Sequence, residues 1–177
     1  RPAEPSGFRP SGWAGALPFE IRFDYSYDGI MRSVADSYLR LGTNTIDVLF
    51  IHDLDEQFHP DPHVLAEHRR ALLGSGWRAL EMLKAAGVIG AYGAGINDRA
   101  SMRWFLDHME VDVFLLALRY TLLEHDVLDD ELPRCAEAGT GLVVGGVFNS
   151  GVLATGACPG ARYNYGEAPP EVLDRVR

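Results

Sequence analysis

The sequence has almost no lysine. Of its 16 basic residues only Lys84 is one, set against 25 Asp and Glu, and the formal net charge is −9. Polyanions reward clustered Lys and Arg, so this balance argues against a nucleic-acid backbone or an anionic membrane as the main partner. Long apolar runs are missing as well. No stretch reaches the roughly 18 apolar residues of a membrane span, and the opening RPAEPSGFRPSGW lacks the apolar core of a signal peptide. These absences predict a cytoplasmic protein that acts on a small neutral or polar molecule. Cysteine is scarce too. Cys135 in a helical pattern and Cys158 in a glycine-rich loop make neither a disulfide framework nor a zinc site.

What is present suits one core. At 177 residues and 47% hydrophobic composition the chain reads as a single domain over 1–177, with the Pro- and Gly-rich residues 1–18 as an irregular lead-in. Ser26 is placed to cap the helix YDGIMRSVADSYLRL, which carries Ile30, Val34, Tyr38 and Leu41 on one face and stops at Gly42. TIDVLFIHD reads as a strand, GWRALEMLKAAG as a helix ended by Gly87, and VIGAYGAG as a strand of small residues. Helix ASMRWFLDHM, strand VDVFLLAL, helix VLDDELPRCAEAG, strand GLVVGGV and a helix opening at Pro169 and Pro170 complete the alternation. Pro133 breaks the regularity of the VLDDELPRCAEAG helix.

Continuously apolar strands are buried on both faces, and helices of this length between them imply right-handed parallel crossovers. The fold class is therefore α/β. In such sheets function collects beyond the carboxyl ends of the strands. Those ends carry His52 and Asp53, then Asn97 and Asp98, then Arg119 and Tyr120, then Phe148, Asn149 and Ser150. Four polar ends in succession predict a shared site.

Other residues have plainer readings. Asp47, inside the first strand, is expected to be a buried carboxylate with hydrogen-bond partners. His59, His63 and His68 in HPDPHVLAEH have a superficial metal spacing, but Pro60 and Pro62 predict a solvated loop instead, and no metal site is expected. Gly93 and Gly95 fall short of a dinucleotide fingerprint, which needs a third glycine and an immediate helix. Asn97 can cap the following helix, serve the site, or both. Trp13, Trp77 and Trp104 are expected to pack in core or loops, and Lys84 to be a solvated cation near a helix C-terminus.

Several motifs in order resemble the aldo-keto reductase family. SVADSYLRLGTNTIDVLFIHD is similar to the family's signature helix and following strand, and AYGAGIND to its next strand. FLLALRYTLLEHDVLD, VVGGVFNSGVLATG, DYSYDGIMRS and YNYGEAPPEVLDRVR resemble the branch of sugar and pyridoxal dehydrogenases. The resemblance implies part of a (β/α)8 TIM barrel, with about four parallel strands and intervening helices, and an NAD- or NADP-dependent oxidoreductase. That enzyme would oxidise an aldose or a related aldehyde at its carbonyl or hemiacetal carbon. It implies His52 as the catalytic residue that holds the substrate oxygen and Asn97 as the ligand of the nicotinamide carboxamide. Phe148, Asn149, Ser150 and Gly151 would wrap the cofactor pyrophosphate.

Departures accompany the likeness. Ala117 stands where the family has a glutamine and Gly145 where a tyrosine commonly stacks, while Arg119 has no assigned role. The family's tyrosine, aspartate and strand-end lysine would precede Arg1, and its eighth strand would follow Arg177. Tyr25 and Tyr27 align with an ordinary loop. The chain is thus expected to be the middle of a barrel, incomplete at both ends and inactive alone. The alternative is a catalytically inactive truncated protein that keeps only part of a cofactor-binding face.

Overall fold

The computed structural model describes residues 21–177. The lead-in over 1–18 and Trp13 lie outside the described residues. Helix α1 (Tyr27–Leu41) begins and ends where its capping residues dictate: the Ser26 hydroxyl accepts from the Gly29 amide at 3.2 Å, and Gly42 closes the last turn at φ 62°. Four strands follow, β1 (Val48–His52), β2 (Ala91–Ile96), β3 (Val113–Ala117) and β4 (Gly141–Gly145). They form one parallel sheet in sequence order. The helices between them are α2 (Pro62–Ala71), α3 (Trp77–Ala85), α4 (Arg99–His108) and α5 (Glu131–Ala138).

Sheet and helices meet over Phe105, Phe114, Leu72, Ile96, Met102 and Leu116, all fully buried. Each such side chain contributes about 1.5–3 kcal/mol by leaving water. The register sets His52 against Gly95, Gly95 against Leu115, and Leu115 against Val143, so these four form one row across the sheet. A second, smaller cluster joins Leu123, after β3, to Val152, Ala161, Ala168 and Val172, which follow β4. It joins α6 (Val152–Thr155), the hairpin β5 (Arg162–Tyr163) and β6 (Gly166–Glu167), and α7 (Pro170–Val176).

Three expectations are corrected. The segment with His59, His63 and His68 is no solvated loop: Pro62 is the first residue of α2, and Asp61 caps it by accepting from the His63 amide at 2.8 Å. Proline suits that position because its missing N–H would have no helical partner there. His59, just before the helix, is buried. The helix expected over 127–139 splits into a 3-10 turn (Asp126–Leu128) and α5, which starts late enough to hold Pro133 in its first turn. Asp47 precedes β1 and is exposed; its backbone carbonyl, not a buried carboxylate, accepts from the Gly90 and Ala91 amides at 2.8 and 3.1 Å.

One feature was not legible. A π-helical turn over Leu72–Gly76 joins α2 to α3. Its Ser75 hydroxyl accepts from the Tyr27 amide at 3.2 Å, and a Cβ added at Gly76 would stand 2.1 Å from the Tyr25 carbonyl oxygen. The turn therefore seats the start of α1, and glycine is what lets the two backbones approach.

Candidate active site at the strand ends

His52 is the last residue of β1 and its side chain is 74% exposed. The ring lies toward Gly95 of the neighbouring strand, where an added Cβ would meet His52 Cδ2 at 3.0 Å. Glycine there leaves the imidazole room to lie across the sheet. The chain then turns sharply, since Asp53 is buried in the left-handed region at φ 57°. Its carboxylate is 3.4 Å from His52 Nδ1. Burial pushes the Asp53 carboxyl above its ordinary value, His52 opposes the shift and Asp55 adds to it.

The other strand ends are tied to one another. Arg119, just past β3, donates from Nε to the Asn97 carbonyl at 2.8 Å and from Nη1 to Asn164 Oδ1 at 3.0 Å. It thereby links the end of β2 to the β5–β6 hairpin, a role sequence alone did not reveal. Asn164 and Tyr165 both adopt positive φ, and this two-residue left-handed turn closes the hairpin. The Tyr165 amide donates to the Ser150 hydroxyl at 2.9 Å, which fastens the hairpin to the loop after β4. Capping of α4 falls to Asp98, whose carboxylate accepts from the Ser101 amide and hydroxyl. The side chain of Asn97 is therefore not needed for that task.

The loop after β4 takes a left-handed course through Asn149, Ser150 and Gly151, at φ 46°, 60° and 106°. Asn149 is fully buried and its Nδ2 donates to the Leu118 carbonyl at 3.1 Å, so its side chain holds the loop from beneath. Phe148 is 58% exposed and Gly151 has open space where a side chain would stand. A cofactor lying here would meet backbone, glycine and one exposed ring. At the sheet surface nearby, Ala117 pairs with Gly145, a floor without bulky side chains.

Lys84 is far from this site. It donates to Asp112 at 2.6 Å, and Asp112 lies just before β3, at the opposite end of the sheet from His52. Lys84 is exposed in the last turn of α3, as expected, and there it also forms this surface ion pair. Trp77 packs edge-on against the buried Tyr92, while Trp104 stacks on His108 and under Arg69. Both therefore serve packing. A cavity of about 650 Å³ lies among Glu56, Leu65, Arg69, Leu73 and Trp104, between α2 and α4 on the outer side of the helices. It shares no residue with the strand-end constellation. No helix among the described residues is long and apolar enough to cross a membrane.

Parallel strands alternating with helices, with polar groups at the strand ends and a glycine-rich loop after β4, are the features of the α/β barrel class. Residues 17–174 match the aldo/keto reductase family, and the chain belongs to it. It is 43% identical over 176 residues to a pyridoxal 4-dehydrogenase of Microbacterium luteolum, covering 99% of this chain and 51% of the relative. It is 37% identical over 175 residues to a D-threo-aldose 1-dehydrogenase of Pseudomonas sp, covering 95% and 50%. The chain thus spans about half the length of the curated relatives it matches. Among solved structures, an aldo-keto reductase from Bacillus halodurans in its holo form superposes with a TM-score of 0.61 at 25% identity, over 86% of this chain and 47% of that one. The four-stranded sheet is part of a (β/α)8 barrel, unclosed among the described residues.

Proposed function

We propose that this chain forms the central part of an NAD(P)-dependent aldo-keto reductase that oxidises an aldose, or a related aldehyde, at its carbonyl or hemiacetal carbon. The observation that carries the reading is the exposed imidazole of His52 at a strand end, seated toward Gly95 and next to strand ends that Arg119 ties together. His52 offers a ring N–H to the substrate oxygen and orients the reacting carbon. The Asn97 side chain meets the carboxamide of the nicotinamide. Ser150 and Gly151 let the backbone approach the pyrophosphate, with Phe148 along its edge and Asn149 holding the loop in shape. When bound, the dinucleotide supplies hydride acceptance. The names of the two curated relatives support an aldehyde or sugar substrate.

The test uses the full-length protein that carries this chain, with NAD or NADP and a panel of aldoses and pyridoxal, following formation of the reduced nicotinamide. Substituting His52→Ala should lower kcat/KM by about a hundredfold or more while leaving dinucleotide binding intact. Wild-type turnover by His52→Ala would end this reading.

A further inference from the structure

Against the backbone of His52 lies a buried polar unit that the proposed chemistry does not use. Tyr25 is 7% exposed and His59 4%. The Tyr25 hydroxyl donates to the His52 carbonyl at 3.0 Å and lies 3.2 Å from His59 Nε2. A phenol has one proton to give. In the tautomer that carries its hydrogen on Nε2, His59 donates to the phenol oxygen, and the chain runs from His59 to Tyr25 to the backbone of His52.

Both donors are locked in place. His59 is held between Phe23 at 4.6 Å and His68 at 4.5 Å, measured between ring centres, and Tyr25 has His68 at 5.2 Å. The Tyr25 carbonyl sits over Gly76 of the π-helical turn. Neither ring is an ordinary solvent-facing group: burial pushes the Tyr25 phenol up, and burial with the neighbouring His68 holds the His59 imidazole below the usual histidine range. Both effects favour the neutral forms in which this hydrogen-bond chain works.

We propose that Tyr25 and His59 are positioning residues for His52, holding its carbonyl at the point where β1 ends and Asp53 turns left-handed, and so fixing where the imidazole points. The proposal rests on the reading of His52 given above. Rotation of that peptide unit tilts the Cα–Cβ bond of His52, and a displacement of about 1 Å at a reacting group can cost two orders of magnitude in rate. Strand pairing alone does not hold this unit firmly, because the pairing ends at His52 and Gly95 and the Asp53 amide reaches the Gly95 carbonyl only at 3.4 Å.

The experiment compares Tyr25→Phe, His59→Leu and His59→Gln in the full-length enzyme, with an aldose that the wild type oxidises. Tyr25→Phe should lower kcat about tenfold with the dinucleotide KM unchanged, and His59→Leu should do the same. The double variant should be no worse than either alone, because the two residues act through one chain. His59→Gln, whose amide can still donate to the phenol oxygen, should recover most of the loss. A merely structural role predicts instead a loss that follows thermal stability and is not rescued by Gln. Wild-type kcat in Tyr25→Phe, or equal damage in His59→Gln and His59→Leu, overturns the proposal. If Tyr25→Phe does not fold, the Leu and Gln variants of His59 decide alone. Full activity in His52→Ala would instead overturn the reading beneath it, so the two failures are distinguishable.

Discussion

Asp53 carries a conformational and an electrostatic cost at once. It is buried, its φ is 57°, and burial, with Asp55 adding and His52 opposing, raises its carboxyl above the ordinary 3.8. The sign of the linkage follows. Between the unfolded value and the raised folded value the native state holds more protons than the unfolded chain, so stability falls as pH rises through that window. Above it the penalty of an ionised buried carboxylate is complete. Substituting Asp53→Asn removes the penalty and keeps a side chain that tolerates left-handed backbone. Thermal melts of the full-length protein should show the variant more stable than wild type at neutral pH, with the advantage gone near the ordinary carboxylate value. A variant less stable at neutral pH would refute this. Turnover should fall in the same variant, since the carboxylate beside His52 Nδ1 is lost. Sequence marked His52, Asn97 and the loop residues, because motif order survives in the linear chain. It read Tyr25 as an ordinary loop residue and His59 as part of a solvated loop, because the contacts that join them to each other and to His52 span 34 and 27 residues.

The elements themselves were largely legible. Ser26, Gly42, and the apolar strands gave their boundaries through local rules, and the structure places α1 and all four strands where those rules predict. Local rules failed where proline has two meanings. Pro62 opens a helix and Pro133 fits a first turn, yet each reads as a breaker when the start of the helix is unknown. How α4 docks on α5 was not legible at all. Glu131 is completely buried and accepts from Arg99 Nε at 2.9 Å and Arg103 Nη1 at 3.0 Å, which ties the first turn of α5 to two successive turns of α4. Both arginines keep partial contact with water, so removing the carboxylate does not strand a fully buried cation. Glu131→Ala should therefore cost about 2 kcal/mol, below the usual loss for a buried pair. A lower urea midpoint at unchanged slope would check it. Arg103→Ala should cost less than about 1 kcal/mol, because its side chain is 44% exposed.

Over the whole molecule the sheet has an uncovered face among the described residues. Val48 and Val143 are 39% and 48% exposed on strands whose other face is packed by helices. Such a surface lowers solubility until further strands cover it. Chemistry points the same way. A tyrosine with an ordinary value near 10 needs a neighbouring cation to act as a proton-transfer group at neutral pH; the only lysine of this chain is paired with Asp112 at the far end of the sheet, and at Tyr163 burial and Glu124 push the phenol up despite the nearby Arg119 and Arg175. The 177-residue chain expressed alone should thus oxidise no aldose with NAD or NADP above the level of its own His52→Ala variant. Measured turnover clearly above that control would show that proton transfer is supplied from within these residues.

By itself the sequence determined the α/β alternation, the family and the place of His52 and Asn97 at strand ends. Each of these follows from local periodicity, capping chemistry or the order of motifs along the chain. Tertiary structure alone decided that Arg119 would link Asn97 to the hairpin, that Glu131 would join two arginines, and that Tyr25 and His59 would stand behind His52. Those contacts join residues 22 to 45 positions apart. Burial turns an otherwise unremarkable tyrosine, histidine or glutamate into a specific hydrogen-bond partner, and burial belongs to the packed sheet and helices rather than to any short stretch of chain.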